Sequence, residues 1–252
     1  MNLALTELQW PGLPSNVGAL STTRVGGVSL APYDDGAGGG GLNLGTHVGD
    51  VPEAVADNRD RLRALLPAEP AWLTQVHGTR VLEAATVAGA PEADASITTK
   101  SGIVCAIMTA DCMPVLLADV SGSVVGAAHA GWRGLAAGVL QNSVAAMREQ
   151  GATEIMAWLG PGIGPQAFEV GDDVRVAFEH LGAKSLEAFR PIAAKPGKWL
   201  ADLPALARLT LANEGVLHVA GGHDCTVSDA RRFYSFRRDR ITGRMASLIW
   251  IK

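Results

Sequence analysis

Residues 103–134, IVCAIMTADCMPVLLADVSGSVVGAAHAGWRG, decide the fold. Three short apolar runs follow one another there, at 103–108, 115–117 and 124–128. Each has strand length, and none reaches the ten or so residues that a helix usually needs. The turn-forming stretch 119–123 separates the last two and predicts a hairpin. Strands therefore neighbour strands directly, which a strict strand–helix–strand alternation does not allow.

Outward from this centre, helical and strand-like segments mix. The stretch 51–66 predicts a helix with Asp50 as N-cap and Glu53 completing a capping-box pair, its core stripe formed by Val55, Leu62, Leu65 and Leu66. Further helices are predicted over 134–150, closed by Gly151, over 172–181, and over 202–214, with Asp202 as cap and Gly215 as stop. Strand-like runs recur at Val17–Thr22, Ile155–Leu159, 216–220 and 246–251. The class this predicts is α+β with mixed sheets. No internal repeat or polar linker divides the chain, and the Pro/Gly stretches 160–165 and 191–197 are loop-sized, so residues 1–252 read as one domain. The stretch 36–41, GAGGGG, follows Asp34 and Asp35 and predicts a mobile loop. A GxGxxG pattern can be laid on it, but not between a strand and a helix start, so a dinucleotide site is not supported.

Composition excludes several classes. The 252 residues are 48% hydrophobic with a formal net charge of −4, and charges of both signs are interspersed. Neither a nucleic-acid arm nor a basic membrane helix is present. Arg231, Arg232, Arg237, Arg238 and Arg240 cluster near the C-terminus, where most read as a solvated segment and one or two face an anionic ligand. Residues 1–10 lack the pattern of a signal peptide, and no run of about 18 apolar residues suggests a span. Cys105, Cys112 and Cys225 are odd in number in a chain too long to need stapling, so a cytoplasmic protein without disulfides is expected.

Three borderline metal ligands fall at breaks between apolar runs. His77 follows the run 71–76, read as a strand exit. Cys112 precedes Pro114 on a constrained turn, and His129 ends the run 124–128. Two imidazoles and a thiolate suit Zn²⁺ in tetrahedral geometry with a vacant fourth position, although Cu²⁺ competes for such donors. Such a metal would acidify a bound water towards neutrality. The default for a cysteine in an apolar run is a small buried hydrophobe, which Cys105 is expected to be, and the default for a lone histidine is a hydrogen-bonded scaffold role. His47, His180, His218 and His223 receive that default, His47 least securely. Around the triad, the backbone of 131–134 at a helix start, Arg133 and Arg24 are candidate anion contacts, and Asp111 a candidate for ligand orientation or proton transfer. Trp132 and Phe233 are read as core residues with a stacking alternative.

The segments 21–29 (STTRVGGVS), 42–50 (LNLGTHVGD), 74–78 (TQVHG), 109–114 (TADCMP), 128–134 (AHAGWRG), 159–165 (LGPGIGP), 225–226 (CT), 234–238 (YSFRR) and 242–246 (TGRMA) appear in this order. Taken together they closely resemble the YfiH family, whose members have been called multicopper polyphenol oxidases (laccase-domain proteins) and purine nucleoside phosphorylases. The glycine-rich stretch before Leu42 is the main departure. The resemblance implies a four-layer α/β/β/α fold similar to the cysteine-hydrolase-like domain, with metal ligands at His77, Cys112 and His129. It implies phosphorolysis of adenosine, inosine and S-methyl-5′-thioadenosine, together with adenosine deamination. Zinc, or alternatively copper, is the expected metal, with a purine nucleoside and phosphate as the small-molecule partners. Cys112, Asp111 and His129 are the expected catalytic residues, and Arg24, Asn43 and Arg133 the expected substrate contacts. Two rival activities stay open: a copper-dependent phenol oxidase, and a cysteine hydrolase with Cys112 as nucleophile, including editing of peptidoglycan precursors. A laccase uses several coppers and roughly ten His or Cys ligands, many in HxH pairs. This chain has six histidines and no HxH.

Overall fold

Residues 3–252 are described by a computed structural model; residues 1 and 2, at the start of the segment scanned for a leader, lie outside it. Five strands form one sheet in the order β1 (Leu5–Thr6), β2 (Val17–Thr22), β15 (Met245–Ile251), β7 (Val104–Thr109) and β4 (Pro70–Ala71). Six form a second: β14 (His218–Gly221), β10 (Ile155–Leu159), β8 (Met113–Asp119), β9 (Val125–Ala130), β6 (Ala95–Thr98) and β5 (Val81–Glu83). Both sheets are mixed. β4 runs parallel to β7, while β15 is antiparallel to both of its neighbours. In the second sheet β10–β14 and β5–β6 are parallel and the other pairs antiparallel. A small third sheet joins β11 (Glu169–Gly171), β13 (Lys198–Ala201) and β12 (Phe189–Pro191). β3 (Val25–Ser29) runs beside α1 (Pro52–Arg63).

The period-2 alternation of strand side chains builds the layers. Cys105 and Ile107 of β7, Leu116 and Ala118 of β8, Val125 and Ala127 of β9, and Ile249 and Ile251 of β15 meet in one apolar layer between the two large sheets. Their neighbours face outward. Val104, Ala106 and Leu248 pack under Leu62 of α1. Val115, Leu117 and Ala128 pack under α3 (Val139–Glu149) and α5 (Leu203–Asn213) through Val144, Met147 and Leu206. The order is helix, sheet, sheet, helix, as expected. The three runs of the opening stretch are β7, β8 and β9, buried along their whole length.

Helix ends depart from expectation in informative ways. Asp50 does not stand at the cap of α1: its Oδ2 accepts from Ser29 Oγ at 2.6 Å and Asn43 Nδ2 at 2.9 Å and its Oδ1 from Val51 N at 2.8 Å, and Val51, which takes the cap position, has no polar side chain to cap with. Leu65 is exposed, because the helix ends at Arg63 before its side chain can join the stripe. The helix predicted over 134–150 is two, α2 (Trp132–Ala137) and α3, parted at Gly138, whose φ of +108° takes it out of helical space. The one predicted over 172–181 is α4 (Asp172–Ala177) followed by a 3₁₀ turn at Glu179–Leu181. α5 starts as expected, with Asp202 Oδ1 accepting from Ala205 N at 2.8 Å.

The glycine-rich loop is held rather than loose. Asp35 Oδ1 accepts from the backbones of Ala37 and Gly39, each at 2.8 Å, and a Cβ on Gly41 would fall 1.8 Å from Tyr33 O. The absence of side chains is what lets this loop close on the core.

Candidate functional site

Antiparallel pairing of β8 with β9 sets Met113 opposite Ala130 and Pro114 opposite His129. Cys112, one residue before β8, therefore arrives beside the end of β9. Pro114 thus lies inside a strand rather than between two runs, its carbonyl accepting from Gly160 N at 2.8 Å. Strand parity places the His129 side chain on the same face as Val125 and Ala127, towards the other sheet.

His77 comes from a loop, not a strand exit: β4 ends at Ala71, and His77 itself has a φ of +61°. Such a backbone needs holding in place. Asp94, fully buried just before β6, does this. Its carboxylate accepts from the backbone N–H groups of Val76 (3.2 Å), His77 (2.9 Å) and Gly78 (2.7 Å), and its Oδ1 lies 2.8 Å from His129 Nδ1. One carboxylate thus fixes the backbone of one candidate ligand and the ring of another, leaving His129 Nε2 for the centre.

Cys112 Sγ lies 3.5 Å from His77 Nε2, the His77 and His129 ring centroids are 4.7 Å apart, and one donor atom from each of the three residues lies within 4.8 Å of the others. Zinc with bonds of ordinary length to S and N separates neighbouring tetrahedral donors by about 3.6 Å. The Cys112–His77 separation matches that spacing, and the three donor types are those zinc takes. Burial opposes ionisation of the Cys112 thiol, but His129 and His77 outweigh it and bring the thiol down to about 6. Burial likewise opposes charge on His129, and Asp94 and Cys112 hold the ring up to about 9. Gly131 completes the packing: a Cβ there would meet His77 Cδ2 at 2.8 Å and Cys112 Sγ at 2.9 Å.

The triad opens into a cavity of about 780 Å³. Five arginines line it, Arg59, Arg133, Arg237, Arg240 and Arg244, and none is paired with a carboxylate among the described residues. Asp111 is the one acid in the lining, and its oxygens are engaged, Oδ1 by Thr226 Oγ1 and Oδ2 by Arg237 N, each at 2.6 Å. Trp132, Phe168 and Phe236 add aromatic wall. The cavity suits a flat ligand part and an anionic one.

The expected site residues divide. His77, Cys112, His129, Asp111 and Arg133 line the cavity. Arg24 and Asn43 do not. Arg24 is buried under Tyr234, its guanidinium donating to Asp34 O (2.8 Å) and Ala230 O (3.0 Å). Asn43, also buried, accepts from Arg244 N at 2.9 Å and so steers a lining residue without reaching the cavity. The 131–134 backbone lies against the triad at Gly131, and the helix it opens has six residues. Phe233 is core, whereas Trp132 is half-buried with Arg133 over its face at 4.5 Å. Of the C-terminal arginine cluster, Arg237 and Arg240 line the cavity. Asp94, Arg59, Gln75 and Arg244 were not expected. Asp94 stands next to a strand with no local pattern, and Arg59 reads as one more charge on the outside of a helix.

Comparison with known proteins agrees with this geometry. A family model described as multi-copper polyphenol oxidoreductase laccase matches residues 18–252. The purine nucleoside phosphorylase of Pseudomonas aeruginosa is 52% identical over the whole of both chains. The purine nucleoside phosphorylase YfiH of Escherichia coli is 51% identical over 96% of this chain and 97% of its own. Among solved structures, a Neisseria meningitidis protein superposes with a TM-score of 0.89 at 50% identity, and YlmD of Geobacillus stearothermophilus with 0.86 at 30%, each over 100% of both chains.

Proposed function

The chain belongs to the YfiH family, and from that premise we propose that it is a zinc-dependent purine nucleoside enzyme. It splits adenosine, inosine and S-methyl-5′-thioadenosine with phosphate into free base and pentose 1-phosphate, and it deaminates adenosine. The observation that carries this reading is one cavity holding both a His-Cys-His group and five arginines without carboxylate partners. The names carried by relatives at about 50% identity support the phosphorylase half.

His77, Cys112 and His129 would hold the zinc, which when bound supplies Lewis acidity and a vacant coordination position. The remaining work belongs to the chain. Trp132, Phe168 and Phe236 offer faces for the purine, and the lining includes arginine side chains that can neutralise phosphate. In phosphorolysis a phosphate oxygen bonds to C1′, the C1′–N9 bond breaks, and its electron pair leaves with the base, which takes the phosphate's proton. In deamination water adds at C6 and the amine leaves as ammonia. Asp111, tied at both oxygens, anchors the segment that carries Phe236 and Arg237 and keeps it against the Cys112 turn.

Adenosine incubated with zinc-loaded protein, with and without phosphate, tests this by mass spectrometry. Adenine or hypoxanthine with pentose phosphate, and inosine, are expected. Release of none of them refutes it.

A second reading, cysteine hydrolysis including that of peptidoglycan precursors, is favoured by one observation: Asp94 orients His129, which in turn depresses the Cys112 thiol. Turnover by metal-free protein, lost on alkylation of Cys112, would establish it. The laccase description suits a chain richer in ligands than this one. Among the described residues one three-ligand group is present, so stoichiometric copper with oxygen uptake on a phenol is the result that would revive it.

A further inference from the structure

The five cavity arginines are not equivalent. Arg133, Arg237 and Arg240 are exposed, each lying over the ring of a neighbouring aromatic residue: Trp132, Phe168 and Phe236 respectively. They form a wall of aromatic faces edged with charge. Arg59 and Arg244 are half-buried. Both stand at one end of the first sheet, Arg244 just before β15 and Arg59 against Met108 of β7, with Arg59 Nη2 3.9 Å from Met108 Sδ.

Each of these two is positioned by neutral groups alone. Arg59 donates Nε to Leu44 O at 3.0 Å and lies over the Trp72 ring at 4.3 Å, leaving Nη1 without an acceptor among the described residues. Arg244 donates Nη1 to the carbonyls of Thr242 and Gly243, both at 3.1 Å, which leaves its Nε and Nη2 without one. Its backbone is held by Asn43, and its stem packs on Gly45, where a Cβ would meet Arg244 Cγ at 2.8 Å. His47, on the same cavity wall, makes no hydrogen bond among the described residues. Burial, then Arg244 and Arg59, hold its ring pKa below the usual histidine range, so both guanidinium charges reach it. Glu69, the acid whose charge acts on Arg59, is occupied by Trp72 Nε1 at 2.6 Å.

Half-buried guanidinium groups without a counter-ion are costly, and a rigidly held fork is suited to bidentate recognition of phosphate. We propose that Arg59, Arg244 and His47 form the seat of the inorganic phosphate co-substrate, in the same cavity as the aromatic faces that receive the nucleoside. This inference rests on the phosphorylase reading and assigns its anion to named donors. Arg244 lines the same cavity as Cys112 and Asp111, so an anion held there shares the space of the triad. The phosphate held here is the group whose oxygen bonds to C1′ as the glycosidic bond breaks.

The test combines steady-state kinetics with direct binding of inorganic phosphate to zinc-loaded protein, followed by ³¹P line broadening. Arg244→Gln is expected to raise the phosphate KM roughly 10- to 100-fold, the worth of charge-assisted hydrogen bonds, and to leave the adenosine KM within about twofold. Arg244→Lys restores part of it, and Arg133→Gln leaves the phosphate KM near wild type. Because Arg244 also ties two carbonyls, His47→Asn, at a side chain that makes no hydrogen bond among the described residues, serves as a second variant, with a rise of about threefold to tenfold expected. An unchanged phosphate KM in both Arg244→Gln and His47→Asn, or an equal rise in Arg133→Gln, overturns the seat. The binding measurement needs no turnover. Wild-type protein that binds phosphate and loses it in Arg244→Gln supports the seat even if no nucleoside is cleaved, and wild-type protein that binds none sinks it.

Discussion

Asp94 and His129 are joined twice, through Asp94 Oδ1 to His129 Nδ1 at 2.8 Å and through the His129 backbone N–H to the Asp94 carbonyl at 2.7 Å. The double bond of contacts fixes both where the ring sits and which nitrogen it turns to the cavity. A neutral amide cannot reproduce this, because its NH₂ would face backbone donors at Val76, His77 or Gly78. Asp94→Asn is therefore expected to weaken zinc binding about 10- to 100-fold, measured by chelator competition. Unchanged affinity would mean that Asp94 does not orient the ligand.

Cys112 gives a pH-dependent readout in chelator-stripped protein. Burial raises its thiol, and His129 and His77 lower it further, to about 6. Ionisation is thus favoured from about pH 6 upward, more than two pH units below an ordinary thiol. The alkylation rate by iodoacetamide is expected to rise through pH 6, level off above pH 7, and fall tenfold per unit below pH 5. His129→Ala shifts the midpoint upward, and saturating zinc suppresses the reaction. A midpoint near 8.5 in the wild-type protein would remove the imidazoles as the cause.

Gly131 offers a steric test. Its φ of −65° is open to any residue, so the glycine is required by space and not by backbone angle. A methyl group there meets the His77 ring and the Cys112 sulfur below 3.0 Å. Gly131→Ala should keep the fold, with circular dichroism unchanged, while zinc affinity drops by at least tenfold as the two ligands are pushed apart. Wild-type zinc affinity in this variant would show that the triad tolerates displacement.

The layered fold was legible because its central strands are short continuous apolar runs: 104–108 is apolar at every position and 246–251 at all but Ser247, as two-sided burial between layers demands. The triad was legible from ligand chemistry and from the ordered motifs around it. What escaped is what depends on distant pairing. Asp94 meets His77 and His129 across 17 and 35 residues, and no local pattern announces that. Arg24 is another such case, since its guanidinium lies outside the cavity and ties Asp34 and Ala230 together across the chain. Asp50 misled likewise, because a tertiary demand from Ser29 and Asn43 outcompeted a local cap. Asp111 looked like a free acid beside Cys112, and only the return of Thr226 and Arg237 to it, across more than 100 residues, engages its oxygens.

Asp119 shows such pairing acting on stability. It ends β8, and its fully buried carboxylate gathers the hairpin turn and the entry to β10. Oδ2 accepts from Ser121 Oγ and N and from Ser123 Oγ, and Oδ1 accepts from Thr153 N at 3.0 Å and Glu154 N at 3.2 Å. Burial works to raise this carboxyl, and the donors outweigh it, holding its pKa below the usual carboxylate range. Asp119→Asn is expected to cost about 1–3 kcal/mol, or a few degrees in Tm for a chain of this size. A depressed folded pKa gives stability that is complete above the unfolded value near 4 and is lost as pH falls through the folded one. The wild-type advantage in urea unfolding should therefore be constant between pH 5 and 8 and shrink below pH 4. A gap that persists undiminished to pH 3 would show that the charge on Asp119 is not its source.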